Sequence, residues 1–135
     1  NVTIVPADGF QTRSAAVVAL AHPAAAPQLS SVTVTGFNLS GAVAVVEASA
    51  GTGAVRLSNV SVELGDTGGG TGGAVSVSDR PTLIMTGLTV SGAPPAVAAV
   101  TTSGVGSVLL DDGMFVHGGP AIVRDETRRV SQLRL

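Results

Sequence analysis

The chain has 135 residues, a formal net charge of −2, 44% hydrophobic but only 2% aromatic residues, and no cysteine. This length fits one domain with its own core, and the weak charge, carried on the basic side by arginines alone, indicates neither nucleic-acid binding nor attraction to anionic lipid. Without cysteine there is no disulfide framework or thiolate metal site, and we expect no metal or other cofactor.

The longest apolar run, residues 15–26, is interrupted by His22 and Pro23 and is too short to span a bilayer. No membrane insertion is therefore expected. The chain has no initiator methionine, no basic segment followed by an apolar stretch and no cleavage-type sequence, so Asn1 is either a processed start or a cut into a longer chain. We favour the second interpretation, in which residues 1–135 are a fragment of a longer repeat protein.

A repeat of 28 residues organises the middle of the chain. The segment from Leu29 to Val34 returns from Leu57 to Val62 and again from Met85 to Val90. A fixed period of this size, built from short β-branched runs, is typical of a solenoid in which each repeat buries its apolar side against its neighbours.

Five repeats follow one plan of three short strands each. The first strands are predicted at residues 2–5, 32–34, 60–62, 88–90 and 114–116. The second strands are predicted at residues 16–20, 42–46, 74–77, 96–100 and 121–123. The third strands are predicted at residue 29 and at residues 55–57, 83–85, 108–110 and 130–135.

This pattern predicts an all-β fold, a single-stranded right-handed parallel β-helix of about five coils with three short strands per coil. A β-sandwich also has short strands at similar spacing, but it gives no reason for side chains to recur every 28 residues. We expect one domain over residues 1–135. The charged segment 124–135 is interpreted as a cap or junction, with a solvated loop as the alternative.

All three asparagines lie in N-glycosylation sequons, at Asn1, Asn38 and Asn59. They are the candidate modification sites and favour an extracellular or cell-surface location. The alternative is that asparagine serves as a turn residue whose side chain bonds the backbone. That alternative applies most directly to Asn59, which shares a repeat position with Ser31 and Gly87.

The weak catalytic candidates are Asp111, Asp112 and His117. Their Asp-Asp and His-Gly elements resemble those of polygalacturonases, right-handed β-helix enzymes that use carboxylates as acid and base. The resemblance covers about six residues, and the other elements of that family are missing. Two aspartates at a turn that bond the local backbone explain the pair more simply, so we predict that the chain is not an enzyme.

By strand pattern and spacing, the chain resembles the pectin-lyase-like right-handed β-helix superfold over nearly its whole length, and its repeats with sequons resemble those of large protist surface glycoproteins. This resemblance implies a non-catalytic structural or adhesive module whose partners are other coils of the same or a neighbouring chain, carbohydrate or surface proteins. Two alternatives stay open: a fragment of a carbohydrate-active enzyme, and a viral capsid or spike β-helix.

Overall fold

The structure is a computed structural model that describes residues 2–5, 18–20, 26–37, 44–64, 73–92, 98–115, 121–125 and 132–134. Every regular element in these residues is a β-strand, which confirms the all-β prediction for the described part of the chain. In chain order the strands are β1 (Val2–Ile4), β2 (Val18–Leu20), β3 (Gln28–Phe37), β4 (Val46–Ala48), β5 (Val55–Leu64), β6 (Val75–Ser78), β7 (Thr82–Thr86), β8 (Thr89–Gly92), β9 (Ala98–Ser103), β10 (Ser107–Asp111), β11 (Met114–Phe115), β12 (Ala121–Asp125) and β13 (Gln132–Arg134).

The strands form two sheets in which all the described pairs are parallel. One sheet has the order β1, β3, β5, β7, β10, β13, with β8 beside β5 and β11 beside β8. The other sheet has the order β12, β9, β6, β4, β2. Since parallel neighbours need a crossover, the chain leaves one sheet and passes through the other before it returns. This alternation is compatible with a β-helix-like solenoid.

The strand register reproduces the sequence repeat. Two columns of paired residues are Leu29, Leu57 and Met85, and Val34, Val62 and Val90. In these columns paired residues are 28 positions apart in the sequence, but the distance differs towards the ends of the chain. Val2 lies opposite Val32, 30 positions later, and Thr89 lies opposite Met114, 25 positions later. The 28-residue repeat therefore equals the sequence distance between hydrogen-bonded neighbours in the central strands. The connections between strands differ in length towards both ends of the chain.

The core consists of small aliphatic side chains on alternate positions of the strands. In β5, Val55, Leu57, Val60 and Val62 are each 1% exposed or less, whereas Arg56 between them is exposed. Burying a valine or leucine side chain contributes about 1.5–3 kcal/mol. Stacked strands about 4.8 Å apart bring like side chains into contact, which explains how a chain with few aromatic residues obtains a continuous core.

Two predicted strand boundaries are absent from the structure. Strands β3 and β5 each join the third strand of one predicted repeat to the first strand of the next. A single residue in the left-handed conformation, Ser31 or Asn59, bends each strand, and ladder pairing continues on both sides of the bend. The sequence suggested separate strands because Ser and Asn are turn residues, but one such residue changes strand direction without ending the strand.

The charged C-terminal segment contributes to both sheets. Strand β12 includes Arg124 and Asp125 and pairs with β9, and β13 pairs with β10. The third strand predicted at residues 130–135 is thus present over Gln132–Arg134. Residues 126–131 lie outside the described residues, and the role of segment 124–135 as a cap stays a prediction.

Candidate functional site

Four residues in the left-handed backbone region form one line across the first sheet. The φ angles of Ser31, Asn59, Gly87 and Asp112 are 53°, 50°, 68° and 56°. The register on either side of each residue places them opposite one another. We call these four residues the corner column. Asparagine, aspartate and glycine adopt this conformation at lower cost than most residues, which explains their presence here.

Gly87 is required at its corner for two reasons. Its φ of 68° is strained for residues with a Cβ atom, and a Cβ there would lie 2.9 Å from Oδ1 of Asn59. The Asn59 side chain therefore extends over the backbone of the next corner. The prediction that Asn59 is a corner residue equivalent to Ser31 and Gly87 is confirmed by this conformation.

A line of hydroxyl groups runs beside the corner column on the outer side of the sheet. It consists of Thr3, Thr33, Ser61 and Thr89, which are paired in register and which we call the hydroxyl strip. Together with the first three corner residues and Val2, the hydroxyl strip lines a groove of about 320 Å³. Every described residue that lines the groove is uncharged. The groove can therefore exchange hydrogen bonds with a neutral polar ligand, at intervals set by the strand spacing of about 4.8 Å.

The sequon at Asn59 lies at the edge of this groove. Asn59 is exposed, and Ser61, the hydroxyl residue of the sequon, belongs to the hydroxyl strip. The other two sequon asparagines, Asn1 and Asn38, lie outside the described residues. Glycosylation at all three sites stays a prediction.

Asp111 and Asp112 lie at the next corner along the same sheet. Both residues are exposed, and the carbonyl oxygen of Asp111 accepts a hydrogen bond of 2.9 Å from the backbone N–H of Gly87. Asp112 is a member of the corner column, and its left-handed φ of 56° is compatible with a turn. His117, the third weak catalytic candidate, lies outside the described residues.

Asp112 also borders a smaller apolar pocket of about 300 Å³. The pocket is lined by Leu110, Asp112, Gly113, Phe115 and Ile122. Phe115 is half-buried and packs against the core, while Ile122 is exposed. Glycoside hydrolysis generally uses a pair of carboxyl groups, and among the described residues that line this pocket Asp112 is the one acidic residue.

Sequence reasoning missed the buried Arg80, which is 1% exposed. Its Nε donates a hydrogen bond of 2.7 Å to the carbonyl oxygen of Ser49, and its Nη1 donates one of 3.3 Å to the carbonyl oxygen of Gly53. The guanidinium packs against Gly51 so closely that a Cβ there would overlap the Arg80 Cζ atom. Arg80 therefore connects the turn between β6 and β7 to the longer connection between β4 and β5.

The signal for this contact is weak in the sequence. Arg80 lies between Asp79 and Pro81, a combination typical of an exposed turn. The partner connection, residues 49–54, is longer than the corresponding connections 79–81 and 104–106. A longer connection has more backbone carbonyl groups that need donors, and this length is the only feature that could have indicated a buried donor.

Two further properties concern the described residues only. None of their His, Asp or Glu side chains form a group of three or more that could hold a metal ion. They also include no helix of the length and hydropathy needed to cross a membrane.

No protein-family profile matches the chain, and no curated protein and no solved structure is significantly similar to it.

Proposed function

We propose that the chain is a right-handed parallel β-helix of about five coils with three strands per coil, and that it serves as a stiff structural or adhesive module of a secreted or cell-surface glycoprotein. The observation that carries this proposal is the continuous register along both sheets, in which equivalent residues of successive repeats stack in columns. Crossovers between parallel strands are right-handed in nearly all proteins, which supports the proposed handedness.

Two features support the assignment as a rigid module. Aliphatic core residues lie opposite one another on consecutive strands, so each repeat packs against the repeats on either side of it. The described lining of the groove beside the corner column is uncharged and rich in hydroxyl groups, which suits contact with carbohydrate or with polar protein surfaces. The exposed Asn59 at its rim provides a position for a glycan that leaves the strand pairing undisturbed.

Expression in a host that adds N-glycans tests the glycoprotein part of this proposal. We expect intact-mass measurements to show glycan on the wild-type chain, and Ser61→Ala to abolish the part attached to Asn59. Thr33→Ala is the matched control, because it removes a hydroxyl from the same strip without touching a sequon. A wild-type chain that passes through the secretory pathway with Asn59 unmodified would contradict the proposal for this site.

A second candidate function is a fragment of a carbohydrate-active enzyme. The observation that favours it is the position of Asp112 beside the apolar pocket that contains Phe115. If this function is correct, Asp112→Asn reduces cleavage of a polysaccharide substrate, and Asp79→Asn, which changes a left-handed aspartate elsewhere, does not. Equal cleavage by the wild-type chain and both variants would reject it.

A further inference from the structure

Asp112 is followed by a glycine, and this pair has the chemistry of a self-modification site. The backbone nitrogen of the residue that follows an aspartate can attack the side-chain carboxyl carbon, Cγ, and close a five-membered ring. Glycine favours this attack because it has no Cβ atom to hinder the approach and the least restricted backbone. Asp112 and Gly113 are both exposed, so both residues are in contact with solvent at this corner.

Ring closure requires the peptide group between these two residues to turn towards the Asp112 side chain. Among the described residues, the carbonyl oxygen of Asp112 and the N–H of Gly113 make no backbone hydrogen bond. The nearest backbone hydrogen bonds lie on either side, at the carbonyl oxygen of Asp111 and the N–H of Met114, and each is 2.9 Å long. The peptide group can therefore turn without the loss of a hydrogen bond that the described part of the chain provides.

Two other exposed aspartates have peptide groups that are held in place. Asp79 is left-handed like Asp112, with a φ of 50°. Its carbonyl oxygen, however, accepts a hydrogen bond of 3.1 Å from the N–H of Gly51, and the next residue is the buried Arg80. The carbonyl oxygen of Asp111 also accepts a hydrogen bond, and the residue after it has a Cβ atom. Turning either peptide group breaks a hydrogen bond, so both aspartates are internal controls for Asp112.

The reaction needs no reagent other than water. The Gly113 nitrogen loses its proton and bonds to Cγ of Asp112, which loses a hydroxyl group, so that one water molecule leaves. Water then adds to one of the two ring carbonyl carbons that the nitrogen joins. Opening at Cγ restores aspartate, whereas opening at the original main-chain carbonyl gives isoaspartate, in which the main chain runs through Cγ and the former carbonyl is a carboxylate. The product has the mass of the original chain, and nothing is oxidised or reduced.

An isoaspartate at this corner lengthens the main chain by one methylene group between two strands. Before the corner, Asp111 of β10 pairs with Thr86. After it, Met114 of β11 pairs with Thr89, so the two pairs are three residues apart on both chains, and a longer chain on one side does not fit both. Strand β10 makes five pairs with β7 and β11 makes two with β8, so β11 is the strand that yields. Phe115, which packs against the core, lies in this strand.

We propose that Asp112 is a site of spontaneous isoaspartate formation and that this modification releases β11 from β8, whereas Asp79 and Asp111 stay unmodified in the folded chain. The inference depends on the corner formed by Asp112 and Gly113 and holds whichever function the groove serves. It adds a covalent change that accumulates with the age of the chain and acts on one strand.

The test incubates the folded full chain at neutral pH and physiological temperature and samples it over time. Every chain carries Asp8→Glu, because Asp8 and Gly9 form the other Asp-Gly pair of the sequence and lie outside the described residues. Isoaspartate is counted by an isoaspartyl methyltransferase that transfers a labelled methyl group from S-adenosylmethionine, and electron-transfer fragmentation assigns it to a residue. Asp112→Glu is the matched control, since its longer side chain has to close a six-membered ring, which is slower. Asp112→Asn closes the same five-membered ring faster and releases ammonia in place of water.

We expect isoaspartate to accumulate at position 112 of the folded chain, to form faster in Asp112→Asn and to be absent from Asp112→Glu, with none at Asp79 or Asp111. In the modified chain, hydrogen exchange of the Met114 amide, which is bonded to the carbonyl oxygen of Leu88, becomes about tenfold faster, the effect of losing roughly one backbone hydrogen bond. The amides of β5 keep their exchange rates, which shows that the rest of the chain stays folded.

Three results overturn the inference. If the chain unfolded in urea forms isoaspartate at position 112 and the folded chain forms none, the corner conformation prevents the reaction. If Asp79 or Asp111 reacts as fast as Asp112 in the folded chain, the hydrogen bonds of the peptide group do not decide the site. If the Met114 amide exchanges at the same rate before and after modification, β11 is not released.

Discussion

Replacing Arg80 by methionine removes a buried guanidinium while keeping a long side chain. The two carbonyl groups that accept its hydrogen bonds, those of Ser49 and Gly53, belong to the connection between β4 and β5. In Arg80→Met these carbonyl oxygens lose their charged donor. The methionine side chain fills part of the space beside Gly51 but donates no hydrogen bond.

The loss of stability expected for Arg80→Met is worked out from these two hydrogen bonds. Bonds to a charged group contribute about 1.5–3 kcal/mol each, and the apolar methionine recovers part of the loss because the guanidinium no longer has to be desolvated. We therefore expect Arg80→Met to lower the free energy of unfolding by about 3 kcal/mol. For a domain of this size such a loss lowers the thermal midpoint by ~10 °C.

Urea unfolding followed by far-ultraviolet circular dichroism measures this change. The control is Arg56→Met, the same substitution at an exposed position of β5, for which we expect a change within about 0.5 kcal/mol. Arg80→Lys should fall between them, since lysine keeps the charge but cannot donate from a planar fork. If Arg80→Met unfolds at the wild-type urea concentration, the guanidinium makes no net contribution and the reasoning is refuted.

Three further substitutions test the core and the corner column by the same unfolding assay. Thr102→Val should stabilise the chain by about 1 kcal/mol, because a buried hydroxyl without a described partner is replaced by a methyl of the same shape; a loss of stability would reveal a partner for it. Gly87→Ala should cost about 1–2 kcal/mol through its left-handed φ and its closeness to Asn59, whereas Asn59→Gly, at the same position of the preceding repeat, should change stability little; equal effects would contradict the corner assignment. Leu57→Ala should cost about 3 kcal/mol, and a cost below 1 kcal/mol would show that this column is loosely packed.

The repeat made much of the fold predictable. Leu29, Leu57 and Met85 recur at one spacing, and this spacing is the register of the ladder that joins β3, β5 and β7. The corner position of Asn59 was predictable from its alignment with Ser31, because both residue types favour turns. The spacing of similar side chains in the sequence indicates which residues lie opposite one another, and these opposite residues are the paired residues of the sheets.

The sequence was less informative about residues whose burial depends on side chains or backbone groups of another repeat. Thr102 stands in a run of threonine and serine typical of an exposed strand end, yet it is buried because Val77 precedes it in its column. Arg80 has no apolar sequence neighbour that would predict burial, and its partners are backbone carbonyl groups 27 and 31 positions away. Backbone acceptors have no residue signature, so such a contact cannot be recognised from residue types alone.

The corner column also has a consequence at the level of the gene. Its members Ser31, Asn59, Gly87 and Asp112 belong to the four residue types that can be encoded by codons with a purine in the first two positions and a pyrimidine in the third. Each of these codons becomes another of the set by a single purine transition. Duplicated repeats can therefore diverge at this position while passing only through residues that suit the bend, so mutation of this kind changes the surface of the corner and preserves its shape.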